Sequence, residues 1–304
     1  MIERIIVPLD GSPLSERVLP RALAFFHSPG VELNLLVVVD TTAGFSGTVV
    51  PVTCSGHKAK DYLADLAARY AEEGVKVTTD VRFGHAAGKI LAHAEESRAS
   101  LIAMATHGRT GLERLVRGSV AEEVLRLATV PVFLHRAGGT RVTPPETGLR
   151  ILVPLDGSAG SESILPCVRW IATRGRGMVE LLRVAEWGPS AALAPHAHVE
   201  AEAWTLRAEN YVKRMAEQLR AEGIDVQPVV EHGGAAVKIL ERAASGDIHL
   251  VAMSTHGYSG VPRWVFGSVA EEVLRGIRVP LLAIREHRSV EARVAEGSNA
   301  GRAE

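Results

Sequence analysis

The sequence predicts two α/β domains in tandem, each a doubly wound parallel sheet of five strands, and three observations carry that prediction. The string GSVAEEVLR occurs at Gly118–Arg126 and again at Gly267–Arg275, an offset of 267 − 118 = 149 residues. The string VPLDGS opens both halves, at Val7–Ser12 and Val153–Ser158, an offset of 153 − 7 = 146. Between these landmarks, short runs rich in Val, Ile and Leu alternate with longer helix-patterned stretches, the rhythm of parallel strands joined by crossover helices. A period near 149 residues exceeds a solenoid unit of ~20–50 residues and fits a whole domain.

In the first half, Arg4–Pro8 reads as a strand closed by proline, Leu14–Phe26 as a helix and Glu32–Val39 as a strand whose unbroken apolar run, Leu35–Val39, indicates burial on both faces. Lys58–Glu73 follows as a helix, Val75–Arg82 as a strand, Gly88–Ser97 as a helix, Leu101–Ala105 as a strand, Val120–Leu127 as a helix and Val130–Leu134 as the last strand. The second half repeats the series: Arg150–Pro154, Ser163–Thr173, Met178–Val184, Ala201–Ala221, Ile224–Val230, Ala236–Ala243, Leu250–Met253, Val269–Arg275 and Val279–Ile284. Ala137–Leu149 has Gly, Pro and Thr without periodicity and reads as the linker. The expected domains are therefore 1–138 and 148–286, with 287–304 as a flexible, charged tail. The connections Thr41–His57 and Glu186–Val199 are longer than usual, which marks them as functional or disordered.

Composition narrows the function. With 34 Lys and Arg against 35 Asp and Glu, the chain has no bulk charge with which to hold nucleic acid. No run of ~18 apolar residues signals a membrane span and no signal-peptide pattern opens the chain, so a soluble, cytoplasmic protein is expected. Cys54 and Cys167 fall at unrelated places in the two halves, without metal or CxxC spacing, and are expected to be reduced or buried thiols.

The chemistry-bearing residues converge by topology. Ligands of an open parallel sheet bind outside the carboxyl ends of its strands, where Asp10 and Asp156 close the first strands, Gly84 and Gly233 follow the third, and His107-Gly108 and His256-Gly257 follow the fourth. Gly118 and Gly267 then precede a helix whose first amides face any anion bound there. Ser119-x-x-Glu122 and Ser268-x-x-Glu271 also satisfy the capping box, which accounts for those serines without a ligand. Asp-Gly-Ser is equally turn chemistry, and Asp10 and Asp156 read either as turn formers or as acceptors for a base amino group or ribose hydroxyl. His107 and His256 lack a nucleophile or clustered metal ligands and read as packed or hydrogen-bonded side chains, and His196-Ala-His198 as a polar loop without metal. GHAAGKI lacks the Walker spacing, and no general base is evident, so no catalytic residue is assigned and at most slow hydrolysis is expected.

VPLDGS, the middle Gly-x-Ala, and THG followed by nine residues and GSVAEEVLR resemble the universal stress protein family in its tandem form, over about Met1–Arg136 and Arg150–Arg285. The resemblance implies a Rossmann-like sheet of the adenine nucleotide alpha hydrolase-like kind, two such domains related by pseudo-twofold symmetry, and a stress-response sensor or regulator. It also implies one nucleotide per half: ATP, with or without magnesium, or ADP or AMP. Carried over residue by residue, the phosphate motif falls on Ala105, Gly108, Gly118 and Ser119 and on Ser254, Gly257, Gly267 and Ser268, with the first glycine of the motif replaced in both halves. Asp10 and Asp156 match the residue near adenine and ribose, Val38 and Val184 the adenine contact, and Gly84 and Gly233 the nucleotide wall. Arg109 and Arg117 flank the motif in copy one where copy two has Tyr258 and Phe266, which favours ATP at the first site. The fifth strands are expected to pair with each other across the tandem, leaving any homodimer to another surface. The alternative function is a nucleotide-independent interaction scaffold of the same fold. An adenylating enzyme would need a different loop after the first strand.

Overall fold

The computed structural model describes residues 2–40, 56–106, 120–136, 148–175, 177–186, 197–255 and 266–285. The first half runs β1 (Arg4–Leu9), α1 (Pro13–Glu16), α2 (Val18–Phe26), β2 (Glu32–Val39), α3 (Gly56–Glu72), β3 (Lys76–Phe83), α4 (Ala86–Glu96), β4 (Leu101–Thr106), α5 (Val120–Leu127) and β5 (Val132–Arg136). The second runs β6 (Arg150–Pro154), α6 (Ala159–Glu162), α7 (Leu165–Gly175), β7 (Met178–Ala185), α8 (Ala197–Ala221), β8 (Asp225–His232), α9 (Ala235–Ala243), β9 (Leu250–Ser254), α10 (Ser268–Gly276) and β10 (Leu281–Ile284).

The strands form one sheet in the order β3-β2-β1-β4-β5-β10-β9-β6-β7-β8. Every pairing is parallel except β5 with β10, where Leu134 faces Leu281 and Val132 faces Ala283 antiparallel. Helices cover both faces, as a doubly wound sheet requires. On one face α2, α3, α7 and α8 bury Phe26, Leu63, Ile171 and Leu219; on the other α4, α5, α9 and α10 bury Ile90, Val124, Ile239 and Val273. The first core crosses the junction, where Phe26 meets Phe133 edge-on at 5.1 Å and Trp170 at 6.4 Å between ring centroids. On the opposite face the halves exchange arginines. Arg136 Nη1 donates to the carbonyls of Arg275 and Ile277 at the end of α10, at 3.2 and 2.9 Å, and Arg285 Nη1 donates to Arg126 O in α5 at 3.1 Å. The last carbonyls of a helix have no intrahelical donor, so each half satisfies the other's.

Two kinds of boundary, each repeated in both halves, differ from the sequence reading for local reasons. The single helix expected over Leu14–Phe26 is broken at Arg17, because Ser12 caps a separate turn, accepting from Ser15 N at 3.1 Å. Ser158 does the same for Ser161 N at 3.0 Å, so a turn, α6, precedes α7 where Ser163–Thr173 was expected. The fifth strands begin two residues later than expected, after the prolines at 131 and 280, whose carbonyls still accept from Ile102 and Val251. The tail, most of the linker and most of the two long connections lie outside the described residues. Among the described residues no helix is long and apolar enough to cross a membrane, and no group of His, Cys, Asp and Glu has the form of a metal site. Cys167 is a free thiol, half-buried, and burial pushes it up to about 11, which leaves it largely protonated at neutral pH.

Candidate functional site

At the carboxyl ends of β6, β7 and β9 the second half encloses a cavity of about 760 Å³, bounded by α8, α9 and the amino end of α10. The size falls within the range of small-molecule sites. Five residues singled out in the sequence line it: Asp156, Val184, Ser254, Gly267 and Ser268.

The floor is a polar turn. Asp156 Oδ1 accepts from Ser158 N at 2.9 Å and from Ser158 Oγ at 2.5 Å, and Asp156 N donates to Ser161 Oγ at 3.3 Å. Asp10 repeats this with Ser12 and Ser15, at 2.9, 2.6 and 3.4 Å. The turn role of both aspartates is therefore realised, and it fixes a carboxylate at the mouth of each first strand. Ser158→Ala removes the α6 cap and is expected to cost about 1 kcal/mol in urea unfolding.

The helix end corrects the capping-box expectation. Ser268 is the first residue inside α10 and is exposed; the N-cap is Gly267, with no side-chain cap bond, and Glu271 N donates to Gly267 O at 2.9 Å. The Glu271 carboxylate pairs with Arg275 one turn on instead of reaching back. Ser268→Ala is accordingly expected to leave stability within about 0.5 kcal/mol of the parent, whereas a true capping box would lose more. Gly267 N donates to Thr255 O at 3.0 Å, which ties this end to β9. A Cβ at Gly267 would lie 3.6 Å from Thr255 O, an ordinary contact, so packing against the protein does not demand glycine there.

The wall between β7 and α9 shows what the middle glycine does. Gly233 does not line the cavity. It turns the chain at φ +128, and its N–H donates to Ala185 O at 3.3 Å, which delivers Ala235 to the wall. Gly84, at φ +126 with its N–H on Val39 O at 3.0 Å, makes the same turn in the first half. Glu186 Oε1 then accepts from Ala235 N at 2.7 Å, capping α9 from the next strand end. The opposite wall is α8, where Tyr211 Oη donates to Glu162 at 2.8 Å; burial and that carboxylate raise its phenol well above the ordinary range. Tyr62 and Glu16 form the first-half equivalent at 3.0 Å.

Sequence reasoning missed four lining side chains: Arg183, Trp204, Arg207 and Tyr211. Arg183 was visible as a charge inside an apolar strand, and the other three as a repeated helix spacing of three and four. In the first half, Asp10, Val38, Gly84 and Ala105 stand at the carboxyl ends of β1 to β4. Gly108, Gly118, Ser119 and Gly257 lie outside the described residues, as do His107, His196, His256, Arg109, Arg117 and Tyr258.

A model of the universal stress protein family matches residues 1–136 and 149–285. Universal stress protein MJ0531 of Methanocaldococcus jannaschii is 34% identical over 142 residues, 44% of this chain and 82% of its own length. Universal stress protein YxiE of Bacillus subtilis is 33% identical over 151 residues, 45% of this chain and the whole of its own. A universal stress protein from Archaeoglobus fulgidus superposes with a TM-score of 0.70 at 24% identity, over 94% of this chain and 97% of that one; at that identity the likeness bears on the fold alone. Each half of the chain thus matches one copy of the same domain, and the protein belongs to the universal stress protein family with two copies in tandem.

Proposed function

We propose that the protein is a stress-response sensor or regulator that binds an adenine nucleotide, ATP or its products, at the carboxyl ends of the strands in each half, without being a dedicated enzyme. The observation that carries this reading is the uncapped amino end of α10 opening into a cavity that also holds the Asp156 carboxylate. The first amides of a helix and its dipole suit a phosphate, and Asp156 suits a base amino group or ribose hydroxyl. The glycine at 267, which neither backbone strain nor a packing clash requires, leaves room for that phosphate. The family carries the general stress-response role.

Calorimetric titration of the full chain with ATP, ADP and AMP, with and without magnesium, tests the reading. Saturable binding that Gly267→Val weakens, with the unfolding midpoint nearly retained, is the expected result. No heat with any of the three nucleotides would leave the protein a nucleotide-independent scaffold, with its outer helices as the working surfaces. The two halves are each expected to bind, and any homodimer to form away from β5 and β10, whose edges already face each other.

A further inference from the structure

Helix α8 sends Trp204, Arg207, Ala208 and Tyr211 to the second-half cavity, a spacing of three, four and seven residues that defines one helix face. Trp204 is 55% exposed although it lines that cavity. The Arg207 guanidinium lies 5.7 Å from its ring centroid, in cation–π range. Trp204 therefore offers its indole to a molecule that enters the cavity.

The place of Trp204 in the cavity says which part of a ligand it meets. The amino end of α10 is tied to the end of β9 through Gly267 N and Thr255 O, whereas α8 packs on β7 and β8. In the strand order β9-β6-β7-β8, Asp156 at the end of β6 lies between them. A nucleotide whose phosphates sit on α10 extends past Asp156 and brings its base to the β7 end, between α8 and the apolar side chains of Val184 and Ile239. We infer that Trp204 is the base-stacking residue of the second-half site, an inference that rests on the nucleotide reading of this cavity given above. Stacking on an indole uses the face of the base and holds it by contact area rather than by edge hydrogen bonds. Arg207 steadies the ring from its own helix. By the 149-residue offset the sequence has Ser55 where the second half has Trp204 (204 − 149 = 55), and Ser55 lies outside the described residues.

The test is calorimetry on the full chain with ADP and, as a base-free probe, ribose 5-phosphate. Trp204→Ala is expected to weaken ADP binding at the second-half site by roughly 5- to 150-fold, the range of base–aromatic stacking, while ribose 5-phosphate binding stays unchanged. Trp204→Phe should restore most of the ADP affinity. Leu206→Ala, equally exposed on α8 but outside the cavity, should change nothing. The inference is overturned if Trp204→Ala binds ADP like the parent, or if ADP and ribose 5-phosphate weaken together, which marks a disturbed helix. Failure of the parent protein to bind ADP at all would instead remove the nucleotide reading, and the role of Trp204 with it.

Discussion

Replacing Arg242 by methionine is expected to cost about 3–5 kcal/mol of stability, the penalty for stranding a buried charge. Glu180, in β7, is fully buried, and Arg242 of α9 meets it with both arms: Nε to Oε1 at 2.5 Å and Nη2 to Oε2 at 2.6 Å. Asp247 adds a second carboxylate, 2.7 Å from Arg242 Nη1 and 2.7 Å from Arg150 Nη1. Hydrogen bonds from Arg242 hold the Asp247 carboxyl well below the usual range, and those to Asp247 and Glu180 raise the guanidinium further. Without Arg242 the buried Glu180 carboxylate loses both of the hydrogen bonds that the guanidinium gives it. The first half solves the same position differently. The 146- and 149-residue offsets place Asn34 and His93 at these two sites (180 − 146 and 242 − 149), and the neutral imidazole bonds Asn34 Oδ1 at 2.9 Å. Arginine can only donate, so His93 Nδ1 accepts from Arg82 Nη2 at 2.9 Å and Nε2–H is the donor to Asn34. Installing that pair, Glu180→Asn with Arg242→His, should recover part of what Arg242→Met loses. A fall of less than about 1 kcal/mol for Arg242→Met in urea unfolding would show that the pair is not buried as described.

Mild acid should destabilise the protein more than carboxylate titration alone accounts for, and His135→Ile should remove a large part of the excess. His135, in β5, is only 6% exposed and its Nδ1 has no hydrogen-bond partner. Burial holds its imidazole down at about 4, with Arg21 and Arg17 pushing the same way. An unfolded histidine takes up its proton near 6.5, so as pH falls from about 6.5 to 4 the unfolded chain is protonated first and stability is lost. Above that window both states are neutral and the group contributes no pH dependence. The difference amounts to about 3 kcal/mol. The second half carries Ile284 at the matching place (284 − 149 = 135), so the fold accommodates isoleucine there. His93 and His249 are also lowered, chiefly by burial, so the variant should keep a smaller acid sensitivity of the same sign. Parent and variant with parallel stability-against-pH curves between 4 and 6.5 would contradict the assignment.

Most of the fold was legible because periodicity records burial. Leu35–Val39 reads as a strand buried on both faces, and β2 packs helices on both. The repeat strings fixed the correspondence between halves, which later identified Asn34 with Glu180 and His135 with Ile284. What escaped was set by which of several partners a side chain takes in the folded chain, near or far in sequence. Ser12 looks like part of a loop motif until its hydroxyl meets the Ser15 amide and ends the helix run. Ser268 fits a capping box by spacing, yet the Glu271 carboxylate that would complete it goes to Arg275. Trp204 and Arg183 belong to the site only through the crossing of α8 over β7, which no local pattern encodes.

The antiparallel seam between β5 and β10 fixes where the two halves look. Parallel strands within each half run their carboxyl ends to one edge, and a single reversal at the seam puts those edges on opposite sides of the molecule. The mouths of the two halves therefore point away from each other. No one small ligand can bridge them. Any communication between the two mouths must therefore pass through the sheet and its seam rather than through a shared ligand.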